Sequence, residues 1–536
     1  MVEHAVAKVS DIKDGEMKEV AFGPSEAKVL LSKVKGQIYA TSHKCTHYGA
    51  RLVTGVLSND GRILCPWHGA CFNATTGDIE DAPALDNLCK FNVTIKGDDV
   101  YVEADEAELV RGRRAPVCQR TVTASNAFTV IIIGGGASGN AAAEKLREDG
   151  FNGRIVVISK EDYFPIDRPK LSKSFGNSPQ KLAIRNSEFY DNMSITFKLD
   201  TSVTSVDPQQ KTVTVENNEV FKYDKLIIAT GAKPRSIPIP GNDLGNVFCL
   251  RVVHDNTKID QAIGTGEKKN VVIIGSSFIG MEVASIAAKR ANVTVVGIEK
   301  VPFERHLGEK VGAALKAFHE KNGVTFRLDT GVASIEPSVI DSSKVGSVVL
   351  SDNTVLPADV VVVGVGVAPA TEFLRSSPGF NLEPDGSLKV DEHLMVEGID
   401  SVYAVGDICR FKYHITGELL RVEHWNFAEN TGRAAAVNIT NNNSTPFTKV
   451  PYFWSAQHGK SLRYAGYASS FDDIIIHGDL DALAFAAYYT QGDKVVAVTT
   501  MSKDPIASHS AELLRLHKFP SATEIRNGLD PLQITL

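Results

Sequence analysis

The sequence predicts a multidomain chain in which a small all-β domain is followed by two α/β dinucleotide-binding units and a C-terminal α+β domain. Three observations carry this reading. From Val6 to about Glu103 the chain is a series of short β-type runs broken by Gly, Asn and Asp turns. The order apolar strand, glycine cluster, helix occurs at Phe128 and again about 140 residues later at Asn270. Beyond residue 450, strand-like runs such as DDIIIHG, ALAFAAYY and KVVAVTTM precede the helix-like SHSAELLRLH.

Taken in order, the β domain is expected over 1–105 and a polar linker over 106–127. The first dinucleotide domain is expected in two parts, 128–250 and 379–450, with the second inserted at 251–378 and the C-terminal domain at 451–536. A length of 536 residues is too great for one compact core. Hydrophobic residues make up 43% and charged residues 23%, and no apolar run approaches the roughly 20 residues of a membrane span.

The net charge of -7, from 57 basic and 64 acidic side chains, offers no broad basic field for a phosphate backbone, so nucleic-acid binding is not expected. The first twenty residues contain no arginine, several acids and no apolar core, which resembles neither a secretory signal nor a transit peptide. A cytoplasmic location is the expectation, with a mitochondrial association left open. Seven cysteines are few and odd in number, which does not suit a disulfide framework.

Four residues supply the first chemical motif. Cys45-Thr-His47 is followed, seventeen residues later, by Cys65-Pro-Trp-His68. Two thiolates on one iron and two imidazoles on its neighbour are the ligand set of a Rieske 2Fe-2S centre. Gly49 and Gly69 would let backbone approach the inorganic sulfurs. Zinc is the rival occupant, although mixing Cys and His within each half departs from its usual paired spacing. Cys71 and Cys89 are expected to be core residues.

The glycine clusters come next. Gly134-Gly-Gly136-Ala-Ser138-Gly139 fits G-x-G-x-x-G between a strand and a helix whose N-terminus can hold a pyrophosphate. Glu161, twenty-two positions after Gly139, is placed to bind a ribose. The second cluster reads Gly275-Ser-Ser277-Phe-Ile-Gly280, with serine at the middle glycine. Glu299, nineteen residues after Gly280, would accept from a ribose 2'-hydroxyl and repel a 2'-phosphate, favouring NADH. Lys300 and Arg305 nearby temper that preference. Ala229-Thr230-Gly231 and Gly406-Asp407 point to FAD as the first nucleotide.

With these motifs in place, the N-terminal segment resembles a Rieske ferredoxin domain. Ala50 and Trp67 stand where the respiratory type has its disulfide cysteines, which implies the low-potential branch of a range of about -150 to +300 mV. The chain from Phe128 onward resembles the pyridine-nucleotide-dependent flavoprotein reductases. Within these it is most similar to apoptosis-inducing-factor-like proteins, the factor 3 subgroup in particular, and to oxygenase-type ferredoxin reductases.

The resemblance implies that Asp407 binds the ribityl chain and that Arg168 and Lys173 are the basic residues beside the isoalloxazine. Glu282 would pair with Lys173 near the flavin N5. Trp425 and Trp454 match aromatic positions around the flavin and on the ferredoxin-facing side. Ala456 stands where the family often has an acid. The expected function is NADH oxidation through FAD to the chain's own cluster and on to an unknown electron acceptor. The alternative is a signalling or cell-death effector in which the redox domains act as scaffold. No C-x-x-C pair exists for a disulfide reductase. Oligomeric state is left open.

Overall fold

The computed structural model describes residues 1–24, 26–118 and 128–536. The N-terminal domain is built from two antiparallel sheets. Six strands pair in the order Val2–Lys8, Asp99–Ala104, Lys90–Lys96, Gln37–Ser42, Lys28–Val34 and Met17–Ala21. A smaller sheet follows sequence order through Val56–Leu57, Arg62–Leu64, Cys71–Asn73 and Ile79–Asp81. Alternation sets the burial, as in Asp99–Ala104, where Val100, Val102 and Ala104 point inward. Cys71 and Cys89 are both buried in this domain.

The two dinucleotide units repeat one plan. In the first, Thr129–Ile133 is the central strand of a five-stranded sheet, flanked by Arg154–Ile158 and Lys225–Ile228, and Val402–Ala404 adds the far edge. All these pairings are parallel. Strands covered on both faces read as continuous apolar runs rather than alternating ones, which is why TVIII and KLII look as they do. In the second unit Asn270–Ile274 takes the central place, between Asn292–Val296 and Val360–Val363.

One strand crosses an expected boundary. Val247–Cys249 pairs with Val360–Val363, so the second sheet recruits chain from before residue 251. Three residues are too short to signal a sheet by pattern alone. The expected linker also departs from plan at its start, where Glu106–Arg111 forms a helix whose N-cap Asp105 accepts from the N–H groups of Ala107 and Glu108. Residues 119–127 of that linker lie outside the described residues.

The C-terminal domain is a five-stranded antiparallel sheet, in the order Tyr452–Gln457, Lys460–Gly466, Lys494–Met501, Ala484–Gln491, Asp473–Asp479. The helix Ile506–Arg515 packs on it. The sheet faces both the second dinucleotide unit and the N-terminal domain, as its hydrogen bonds below show. No helix among the described residues is long and apolar enough to cross a membrane.

Candidate redox site: cluster loops against a dinucleotide cleft

The two cluster loops have the same internal geometry. Cys45 N–H donates to the Ala50 carbonyl at 2.8 Å, and Cys65 N–H donates to the Ala70 carbonyl at 2.8 Å. Each tight loop turns its next backbone N–H groups onto its cysteine: His47 and Tyr48 onto Cys45, Trp67 and His68 onto Cys65. The two sulfurs share a contact, which raises the Cys45 thiol and lowers that of Cys65. Backbone donors aimed at sulfur favour the thiolates a metal requires.

The imidazoles form a second pair. His47 Nδ1 and His68 Nδ1 face each other at 3.0 Å. Burial lowers His47 to about 4 and His68 to about 2, so both rings are neutral and able to ligate at physiological pH. Two neutral rings cannot satisfy each other symmetrically through these atoms. Among the described residues no three or more side chains of the metal-ligating types converge on one point. A sulfur pair beside a nitrogen pair suits a binuclear cluster better than one tetrahedral zinc.

The dinucleotide cleft is a single cavity of about 1680 Å³. Gly134, Gly136, Ser138, Glu161, Arg168, Lys173, Thr230, Gly231, Asp407, Trp425 and Trp454 line it, together with Ser277 and Glu282 of the second unit. Gly134 is held at φ +110°, with room for no Cβ because the Ala229 carbonyl would lie 2.3 Å away. Gly139 does not line the cleft. It lets the helix Ala137–Glu148 close on the loop, since a Cβ there would meet the Gly134 carbonyl at 1.9 Å. Gly275 and Gly280 repeat these two roles beneath Ser277.

Gly136 differs, because a Cβ there would touch nothing within 4 Å and would project into free space at the helix N-terminus. Thr230 Oγ1 is buried without a partner among the described residues. An open approach to helix N–H groups and an orphaned hydroxyl on the wall fit a dinucleotide with a polar linkage. Across the cleft Asp407 pairs with Arg251 at 3.2 Å. Arg251 carries no motif of its own, and its position opposite the Gly406-Asp407 turn was not legible in the sequence.

The structure gives two of the expected site residues partners that their motifs do not show. Arg168, expected beside the isoalloxazine with Lys173, lines the cleft and donates to Glu161 at 2.7 Å and to the Arg251 carbonyl at 2.6 Å. Glu299 does not line the cleft. It accepts from Ser276 Oγ at 2.9 Å, while Lys300 pairs with Glu309 at 3.2 Å in an exposed contact and Arg305 reaches the cleft wall.

Lys173 and Glu282 do meet. Lys173 Nζ donates to Glu282 Oε2 at 2.8 Å, Ser172 Oγ donates to the same oxygen, and Ser455 Oγ donates to Oε1 at 2.6 Å. Glu282 is 3% exposed and its pairing joins the first unit to the second, since Glu282 stands on the helix Phe278–Ala287.

The cluster loops are docked against this cleft. Trp454 lines the cleft, and its ring centroid lies 4.4 Å from that of His68 and 5.7 Å from that of His47. Tyr48, stacked on His47, donates to Asp167 of the loop that carries Arg168. Gly69 is also needed for this docking: at φ +72°, a Cβ there would lie 2.7 Å from the Tyr452 ring. Ser508 Oγ donates to the Cys65 carbonyl at 2.8 Å, Arg463 Nε to the Pro66 carbonyl at 3.0 Å, and Asn430 Oδ1 accepts from the Ala82 N–H at 2.8 Å. Arg62 pairs with Glu80 at 2.6 Å, with Asp81, and across the interface with Glu512 at 3.3 Å.

The chain belongs to the pyridine nucleotide-disulphide oxidoreductase family, whose model matches residues 128–432. A Rieske [2Fe-2S] domain model matches residues 2–92, and a reductase C-terminal model matches 452–534. It is an FAD-dependent NAD(P)H oxidoreductase of the ferredoxin-reductase type that carries a Rieske domain.

Among similar proteins, human apoptosis-inducing factor 3 is 43% identical over 96% of this chain and 84% of its own length. Rhodocoxin reductase of Rhodococcus erythropolis is 31% identical over 70% of this chain and 87% of its own. The covalent putidaredoxin reductase–putidaredoxin complex superposes with a TM-score of 0.70 at 28% identity, covering 75% of this chain and 96% of that one.

Proposed function

We propose that the chain oxidises NADH at the cleft and passes the electrons internally, by way of Trp454, to the cluster held by Cys45, His47, Cys65 and His68, from which an external acceptor takes them. The observation that carries this is the position of Trp454, one face of whose surroundings is the dinucleotide cleft and the other the two cluster imidazoles. When bound, FAD supplies hydride acceptance and stepwise one-electron release, and the cluster supplies a one-electron store.

The remaining work belongs to side chains. Gly136, Ser138 and the N-terminus of Ala137–Glu148 would receive the FAD pyrophosphate; Glu161, Thr230, Gly231 and Asp407 would orient the rest of that molecule. Gly275, Ser277 and Gly280 would do the same for NADH, and the negative charge of Glu299, held by Ser276 just outside the cleft, would disfavour the 2'-phosphate of NADPH. Lys173, held by Glu282, would present its ammonium to the flavin ring and stabilise negative charge there. The docked interface would hold the two centres at a fixed separation.

Anaerobic mixing of holoprotein with NADH tests the reading. Flavin absorbance should bleach first, and a Rieske-type EPR signal should follow. A bleached flavin beside a persistently oxidised cluster would refute internal transfer.

A further inference from the structure

Behind Glu282, on the side away from Lys173, a single file of hydrogen bonds leads out of the core. Ser455 Oγ donates to Glu282 Oε1 at 2.6 Å, and Gln457 Nε2 donates to Ser455 Oγ at 2.9 Å. Gln457 Oε1 lies 2.7 Å from His319 Nε2, and His319 Nδ1 lies 3.0 Å from His458 Nε2. Ser455, Gln457 and His319 are buried, His319 completely, while His458 is half-buried.

The chemistry of each group orients the next. Ser455 spends its one proton on Glu282, so it accepts from the amide. The amide then presents its oxygen to His319, which must carry its proton on Nε2 and leave Nδ1 to accept from His458 Nε2–H. Every donor in the file therefore points toward Glu282. Burial lowers both histidines to about 4, so the file is neutral at physiological pH and its polarity is set by tautomer rather than by charge.

The file also ties three elements together: the helix Phe278–Ala287, the end of the helix Glu304–Lys321, and the strand Tyr452–Gln457 whose Trp454 touches the cluster imidazoles. A buried network in which each member is satisfied is stiff, and its members couple.

We propose that Ser455, Gln457, His319 and His458 act as one positioning unit, which holds Glu282 Oε1 so that Oε2 stays committed to Lys173. These are positioning residues: none of them lines the cleft. The proposal rests on the assignment of Lys173 and Glu282 to the flavin side. It requires nothing of the cluster.

Two experiments on the full-length holoprotein test it. The first is nitrogen NMR of labelled histidine side chains, with His319→Gln used to assign the His319 signal. The file predicts His319 protonated at Nε2 and bare at Nδ1, and predicts that Glu282→Gln, four links away from His458, shifts the signals of both rings. Unmoved histidine signals in Glu282→Gln would overturn the proposal.

The second compares two replacements of His319. His319→Gln keeps a donor to Gln457, whereas His319→Phe removes it. Flavin reduction by NADH in stopped flow should slow about tenfold in His319→Phe, equivalent to about 1.4 kcal/mol, and stay within about twofold of the parent in His319→Gln, with KM for NADH unchanged in both. Equal rates in the two variants would overturn the proposal, and if His319→Phe fails to fold the NMR outcome alone decides it. Loss of cluster reduction with the histidine coupling intact would count against internal electron transfer and leave this proposal standing.

Discussion

Replacing Arg62 by methionine should loosen the cluster domain from the reductase without unfolding either. Arg62 holds Glu80 and Asp81 within its own domain and Glu512 across the interface, and its side chain is 10% exposed. Removing one partner of a buried ion pair costs about 3–5 kcal/mol when the other charge is left bare. Here the carboxylates keep other partners: Asp81 retains Lys449, Glu512 retains Arg515 at 2.7 Å, and Glu80 retains Asn73 at 2.8 Å. Only the Glu512 pair crosses the interface, so the loss to docking should be about 1.5 kcal/mol, a shift of roughly tenfold in the docked-to-undocked ratio. Hydrogen exchange at the Ala82 amide, which is bonded to Asn430 only while the domains are docked, reports that ratio. It should accelerate by that factor, while amides in the Thr129–Ile133 strand keep their protection. Unchanged exchange at Ala82, or equal acceleration in both places, would refute the reasoning.

Other outcomes follow from the same geometry. Trp454→Ala should leave flavin bleaching by NADH intact and slow the rise of the cluster EPR signal at least about tenfold, read by freeze-quench. Glu282→Gln should slow flavin reduction about a hundredfold by releasing Lys173, checked by single-turnover absorbance. Gly136→Ala should fold yet bind FAD weakly, because its methyl enters open cleft space. Gly139→Ala, aimed at the Gly134 carbonyl 1.9 Å away, should fail to fold; flavin content and solubility separate the two. Arg62 and Lys449 hold Asp81 well below the ordinary carboxylate range. A carboxyl depressed on folding adds its full stability above its unfolded value and loses it as pH falls, so the protection of the Ala82 amide, corrected for the intrinsic pH dependence of exchange, should be level from neutral pH down to about 4 and fall only below it.

The parts of this molecule that were legible in the sequence are those whose chemistry is local. Cys45 and His47 sit two residues apart, and each glycine cluster spans only six residues, so ligand type and turn geometry leave a direct trace. Continuous apolar runs announced the parallel strands for the same reason. Contacts made across the chain left none. Arg62 meets Glu512 450 positions away, and nothing in RILCPW marks it as an interface residue. The resemblance places Arg168 at the flavin ring, but nothing local in FPIDRPK announces the pairing of its guanidinium with Glu161. Glycine can be seen in a sequence without all of its reasons: Gly69 reads as a cluster-loop residue, and its packing against Tyr452 leaves no trace there. His319, Gln457 and His458 each look like ordinary polar residues until the fold lines them up.

The central claim is that reduction of the cluster is intramolecular, across the docked face that Trp454 occupies. Measuring the rate constant for cluster reduction after anaerobic addition of NADH at one saturating concentration, over a wide range of protein concentrations, addresses it directly. The docked arrangement predicts one rate constant at every dilution. A rate that falls in proportion to protein concentration, or a cluster that never reduces, would contradict it.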